Sequence, residues 1–283
     1  MGSEVNVLSL QNEPNVSASY DSCTYTTDQI IAATGYVRPA MTSAGLTSLY
    51  TVPEPDVYGG TSYYASNWGT PILSNSSMDG WVDLMTTHGY GQLQNLAQPC
   101  TVCSQYNKQI WQTEVMKDNT GYTGTISEAQ TWSTSIYQAL NQGGFSAYFY
   151  WWAMNYTNDN QGLLNYNNST WTYQIPKRLY VFGQFSRWMR PGSVLLTSTS
   201  SSSSLESTAA LPVSGNIALV LSNTSTSSIT VTVTLQNATT LPTSVTPYVT
   251  SSTQNQQQLS PITVTNGSFT VTVPAHAVET FVG

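Results

Sequence analysis

Charge is what this sequence has least of. Its 283 residues include 7 Lys and Arg and 14 Asp and Glu, only 7% in all, against the roughly 25% usual in a globular domain. The net charge is −7 and no basic block occurs anywhere. Nucleic acid and anionic membranes are therefore excluded as partners, since both are held by clustered Lys or Arg. No stretch is long and apolar enough to span a bilayer, so membrane insertion is not expected. Histidine and cysteine are also scarce, at 2 and 3 residues. One Cys-x-x-Cys without a second pair is a poor zinc site, and no metal is expected. Cys100 and Cys103 read as a small loop disulfide in preference to a reactive pair, with Cys23 left over. Met1 to Val7 is too short and too polar for a signal peptide. The expected location is extracellular, with any signal lying outside this chain.

Ser, Thr, Asn and Gln take the place of charge, beside 18 Tyr and 8 Trp. Sugars stack on aromatic faces and hydrogen-bond to amides and hydroxyls, so such a surface suits neutral, hydroxyl-rich ligands. The same composition also fits an extracellular protein with an uncharged surface and no ligand at all. Asn-x-Ser/Thr patterns recur from Asn15 to Asn266, a weak sign of secretion in so Ser- and Thr-rich a chain.

Strand-like and helix-like segments alternate up to about residue 190. Val5–Leu10, Leu49–Val52, Val82–Thr87, Gln109–Val115 and the aromatic run Phe145–Met154 read as strands. Thr26–Ala44, Ser127–Gln142 and Pro176–Trp188 read as helices, and residues 56–81 as a long loop. This rhythm implies parallel strands covered by helices, with the site at the C-terminal strand ends. Five strand–loop units fall short of a closed eight-stranded barrel. From residue 193 a Ser/Thr run leads into Ile217–Ser222, Ser228–Gln236, Ser244–Thr250, Ile262–Thr265, Ser268–Val273 and Val278–Val282, which alternate like antiparallel sandwich strands. The expected domains are 1–192, α/β, and 193–283, all-β and closely docked.

Two of the strand ends carry a glutamate: Leu8-Ser9-Leu10-Gln11-Asn12-Glu13-Pro14 and Ile110-Trp111-Gln112-Thr113-Glu114-Val115. In a chain this short of charge, a carboxylate in an apolar-aromatic setting is not routine solubilisation. Two facing carboxylates are the minimum equipment for cleaving a glycosidic bond. Taken alone, Asn-Glu-Pro is more often a turn with a solvated Glu, and a lone His88 more often structural. Glu54 reads as a loop residue, Glu4, Glu128, Glu206 and Glu279 as surface or capping charges, and Trp81 and Trp132 as packing.

The ensemble of motifs resembles glycoside hydrolase family 30, retaining enzymes with a (β/α)8 barrel and a side β-sandwich. It comprises LSLQNEP, Tyr20-Asp21-Ser22-Cys23, VPEP at 52–55, THGYG at 87–91, WQTEV at 111–115, YFYWWAMN at 148–155, FGQFSRWMRPGSVLL from Phe182, and the closing VPAHAVETFVG. In that family the Asn-Glu-Pro glutamate ends barrel strand 4, whereas here it lies at position 13. The resemblance thus implies a partial TIM-type barrel, strands 4–8, followed by the sandwich. An uncovered edge at strand 4 predicts poor solubility or self-association.

The resemblance implies Glu13 as general acid/base and Glu114 as nucleophile. Asn12 is placed to hydrogen-bond a sugar 2-hydroxyl. His88 or Tyr90 would orient Glu114, and Trp151 or Trp152 would floor the pocket, only one of the two pointing inward. No cofactor is implied. The expected substrate is a β-linked cell-wall polysaccharide, β-1,4-xylan first, with β-1,6-galactan and β-1,6-glucan as alternatives. Residues 153–157 lack the arginine by which some xylanases of the family read a glucuronic acid branch. Two competing readings stand: a catalytically impaired sugar-binding remnant, and an adhesive sandwich acting through 193–283.

Overall fold

The computed structural model describes residues 5–116, 124–157, 161–215, 217–238 and 240–283, so Glu4 lies outside the described residues. The chain divides into two compact units, Met1–Met116 with Gln138–Trp151, and Lys117–Tyr137 with Trp152–Gly283.

The first unit is built on a five-stranded parallel sheet. Its strands are β1 (Val7–Ser9), β2 (Leu49–Thr51), β3 (Leu84–His88), β4 (Gln109–Glu114) and β5 (Ala147–Tyr148), in that spatial order. Helix α1 (Thr27–Ser43) joins β1 to β2. The Thr26 hydroxyl accepts from the Gln29 amide while the Gln29 side chain accepts from the Thr26 amide, a reciprocal cap that fixes the helix start. All of β3 is buried, as expected of a parallel strand covered on both faces. Tyr50, Tyr64, Ile72, Leu73, Met78, Met85 and Leu96 form the centre of this unit's core.

Residues 56–81 are not the expected loop. They hold α2 (Thr61–Tyr64), a π-helical turn (Ala65–Gly69), α3 (Thr70–Leu73) and α4 (Ser76–Trp81). Tyr64, Trp68 and Ile72 recur at helical spacing and are buried. The helical run is continuous from Thr61 to Leu73 with Pro71 inside it, and the Asn75 cap starts a separate short helix, so the period is spread over short pieces. A further short helix, α5 (Thr101–Gln105), carries the bonded pair Cys100–Cys103, while Cys23 is free and exposed.

The aromatic run is also shorter as a strand than expected. Beyond Tyr148 the chain runs on beside β4 and the residue after it, with Phe149 N donating to Gln112 O at 3.0 Å and Trp151 N to Val115 O at 2.9 Å. Phe149 and Trp151 are consequently exposed.

The second unit contains α6 (Ile126–Tyr137) and a small sheet of β6 (Met154–Tyr156), β7 (Leu164–Asn167) and β8 (Thr172–Gln174). Helix α7 (Lys177–Ser186) follows, and then the antiparallel strands. These are β9 (Val194–Leu196), β10 (Leu205–Leu211), β11 (Ala218–Asn223), β12 (Ile229–Thr234), β13 (Ser244–Thr250), β14 (Gln257–Gln258), β15 (Ile262–Thr263), β16 (Ser268–Val273) and β17 (Val278–Val282). The main sheet runs β14-β13-β17-β11-β10-β9, with β15 on β13, and β12 pairs with β16. Leu219, Leu221, Val245, Val249, Phe269, Val271, Val273 and Phe281 fill the interior between the two sheets. Burying each such side chain contributes roughly 1.5–3 kcal/mol. Strand β10 begins inside what reads as a Ser-rich stretch, because its inward positions are mostly small residues.

Of the glutamates read as surface or capping charges, Glu128 and Glu206 are half-buried and Glu279 is buried. Glu128 lies in the first turn of α6, but it accepts from Arg178 Nη1 at 3.1 Å and from Trp132 Nε1 at 2.7 Å. Glu206 accepts from Thr134. Glu279 stands on the central strand β17, on the same face as Phe281, and is 2% exposed.

Candidate active site

Four strand ends converge in the first unit. Past β1 the chain stays beside β2, with Asn12 bridged to Glu54 and Glu13 N donating to Glu54 O at 2.9 Å. Glu13 itself is buried and holds a left-handed φ of +45°, an uncommon backbone for a non-glycine residue. Such conformations persist where surrounding structure over-determines them. At the end of β3 a bulge between Thr87 and His88 shifts the register, so that His88 faces Glu114 of β4. The His88 amide bonds Pro55 O and the Gly89 amide bonds Glu114 O, both at 2.8 Å. A Cβ on Gly89 would lie 3.3 Å from Val115 Cβ, so glycine lets this loop lie against β4.

The side chains then meet. His88 is fully buried; its Nδ1 lies 3.1 Å from Glu13 Oε1 and 3.7 Å from Glu114 Oε1. Its Nε2 lies 4.0 Å from Glu54 Oε1 without a hydrogen bond. One donor atom each from Glu13, His88 and Glu114 fall within 4.8 Å of one another. Tyr20 donates to Glu13 Oε2 at 2.5 Å and Tyr90 to Glu114 Oε1 at 2.9 Å. Burial pushes the Glu114 carboxyl above the usual range; His88 and Tyr90 pull it back, and Glu13 and Glu54 add to the rise. The hydrogen bond to Glu13 holds the Tyr20 phenol up at about 12. Burial, with Glu114 beside it, raises Tyr90 further. Both phenols are therefore donors at any pH the fold meets.

The geometry brings together Glu13, Glu114, His88 and Tyr90. Asn12 is adjacent but exposed. Trp151 is 44% exposed, and its amide bonds the residue after Glu114. Trp152 falls in the second unit, half-buried, its carbonyl accepting from Leu163 N. Two further members stand within the quoted motifs, but sequence reading gives Tyr20 no role and takes Glu54 as a loop residue. Tyr20 lies in an irregular segment, and Glu54 is drawn in by the backbone bridge to Asn12. Glu13, His88 and Glu114 are spaced closely enough to hold a divalent cation. However, each carboxylate already accepts from a tyrosine hydroxyl and faces the His88 ring, a donor set that serves bare carboxylates.

Comparison with known proteins follows the same lines. Residues 192–281 match the profile described as "Glycosyl hydrolase family 30 beta sandwich domain". The chain is 28% identical over 285 residues to glucuronoxylanase XynC of Bacillus subtilis, covering 99% of this chain and 62% of that one. It superposes with a TM-score of 0.81 and 27% identity on the family 30 subfamily 8 xylanase Xyn30A of Clostridium acetobutylicum, covering 98% of this chain and 65% of that one. In sequence and fold the chain is thus similar to enzymes of glycoside hydrolase family 30. Over 79% of its length it is also 24% identical to an endo-1,6-beta-D-glucanase, BGN16.3, of Trichoderma harzianum. The family 30 fold is present as a partial (β/α)8 barrel of five parallel strands followed by an antiparallel β-sandwich. The chain spans less than two thirds of the length of these relatives.

Proposed function

We propose that this chain carries the two-glutamate machinery of a retaining, secreted endo-glycanase, with β-1,4-xylan as substrate. The carrying observation is the approach of Glu13 and Glu114 within 4.8 Å through their carboxylate oxygens. Retaining enzymes hold their two carboxyl groups about 5–5.5 Å apart, and inverting ones hold them about 6.5–9.5 Å apart. In this reading Glu114 attacks the anomeric carbon while Glu13 donates a proton to the departing glycosidic oxygen. Glu13 then takes a proton from the water that releases the glycosyl–enzyme bond. Tyr90 holds one oxygen of Glu114, leaving the other to attack. Tyr20 and His88 fix the plane of Glu13. Asn12 contacts the 2-hydroxyl, and Trp151 or Trp152 supplies a stacking face. Residues 1–192 act as the catalytic portion and 193–283 as the side domain.

Xylan is supported by the names of the relatives at 28% and 27% identity. The lack of arginine in residues 153–157 favours unbranched or neutral xylan over a glucuronate-dependent mode. The 1,6-glucanase relative keeps β-1,6-glucan as the second substrate. A catalytically impaired, sugar-binding remnant is the second reading. The β1 side of the parallel sheet, where Val5 and Leu8 are exposed, is the proposed route of self-association. Reducing-sugar release from a panel of xylans and β-1,6-glycans decides among these. Hydrolysis of xylan that disappears in Glu114→Gln supports the enzyme. Binding without turnover supports the remnant.

A further inference from the structure

The small sheet β6-β7-β8 presents tyrosines in a row. Tyr156 pairs directly with Tyr166, and Tyr166 with Tyr173. Residues directly opposite on adjacent strands share a face, so the three side chains stand together. The Tyr156 and Tyr166 ring centroids are 4.9 Å apart. Met154 is on the same face, and Trp171, 89% exposed, lies at the turn into β8 beside Tyr173, which is 66% exposed. That turn is braced: Asn167 Oδ1 accepts from the Ser169 and Thr170 amides, and Trp171 takes a left-handed φ of +54°.

The opposite face is fixed by buried amides. Asn165 Oδ1 accepts from Gly162 N at 3.0 Å, Asn155 donates to Gln161, and Arg178 Nε donates to Gly162 O at 3.0 Å. Large rings left in water on a sheet held rigidly from behind mark an interaction surface. Among the described residues from 154 to 174 none is charged, and Asn, Thr and Gln surround the rings. The surface offers ring faces with amide and hydroxyl groups at their margins, which is the recognition chemistry of a neutral pyranose chain. A row crossing three strands at about 4.8 Å each is long enough for more than one sugar ring.

We propose that Tyr156, Tyr166 and Tyr173 form a stacking platform for a neutral, β-linked polysaccharide chain, a saccharide-binding site that uses none of the carboxylate-cluster residues. The ligand class is the one proposed for the carboxylate pair, so the test separates the two. Affinity electrophoresis of the full chain carrying Glu114→Gln, in gels containing neutral arabinoxylan or β-1,6-glucan, reads binding without turnover. At least one of the two glycans is expected to retard it. Adding Tyr173→Ala or Tyr156→Ala should weaken retardation at least tenfold, while Tyr173→Phe, which keeps the ring, should retain it. In the chain with Glu114 intact, Tyr173→Ala should hydrolyse a short soluble xylo-oligosaccharide at the parent rate. Equal retardation of parent and Ala variants overturns the platform, as does a parent retarded by neither glycan. Loss of self-association with unchanged retardation would give the face to a second copy and equally overturn it. A chain that hydrolyses nothing yet shows tyrosine-dependent retardation refutes the proposed function and leaves the platform standing.

Discussion

Buried glutamates occur in both halves of the molecule, and they live in opposite surroundings. At the ends of the parallel strands, Glu13 and Glu114 each accept from a tyrosine hydroxyl and face a shared histidine. In the sandwich, Glu279 sits between Leu221 and Val249 on the central strand, and its Oε2 has no hydrogen-bond partner among the described residues. Burial alone raises the Glu279 carboxyl to about 7. A perturbed carboxyl is thus no mark of chemistry by itself. The difference is convergence: several donors and a second carboxylate aimed at one place, against an apolar surround that offers nothing.

The comparison breaks most directly at Glu114. Under the proposed mechanism, Glu114→Gln should lower kcat on xylan by on the order of 10⁴-fold with the melting temperature little changed, because it removes the proposed nucleophile and keeps the shape. In the second unit, Arg178→Met should instead cost about 3–5 kcal/mol of stability, read by denaturant melts, since it strands Glu128 without its fully buried partner.

Glu279→Gln sharpens the contrast from the other side. The folded group ionises near 7 and the unfolded one near 4.5. Below the lower value both states are protonated and the native chain suffers no penalty. As pH rises through 7 the penalty grows to on the order of 3 kcal/mol, at 1.36 kcal/mol per pKa unit. The variant should therefore melt higher than the parent above neutral pH and lose that advantage near pH 4 to 5. A stability difference independent of pH would contradict the assignment.

Tyr90→Phe should have a smaller effect. The phenol pulls the raised Glu114 carboxyl back toward its ordinary value. Its removal should move the acid limb of the kcat/KM profile to higher pH, since ionised Glu114 would then be reached later. The smallest expected effect is that of a chelator. EDTA should leave hydrolysis unchanged, and loss of activity restored by a divalent cation would reassign Glu13, His88 and Glu114 as metal ligands.

Much of the site was legible because each main residue closes a strand. Glu13, His88 and Glu114 follow short apolar runs, and parallel strands put such ends together. Tyr20 was not legible, since no period links it to Glu13 and only the folded loop brings its hydroxyl to that carboxylate. The helices at 56–81 had a readable spacing at Tyr64, Trp68 and Ile72, obscured by Pro71 and the flanking glycines. Strand β10 is hidden by its small and polar residues. Glu279 was misjudged although the sequence held the answer. In Val-Glu-Thr-Phe-Val, alternation puts residue 279 on the side of Phe281, and charge type was weighed above parity. The burial of both faces of β17 was not visible locally, because it depends on α7 on one side, where Thr280 bonds Gln184, and on β12 and β16 on the other.

Intact-protein and peptide mass spectrometry after incubation with a fluorinated xyloside inactivator tests the central claim most directly. A covalent glycosyl adduct carried by the side chain of Glu114, and absent from Glu114→Gln, is the predicted result. Hydrolysis of xylan with no trapped adduct, or an adduct on Glu13 or Glu54, would contradict the retaining mechanism assigned to this pair.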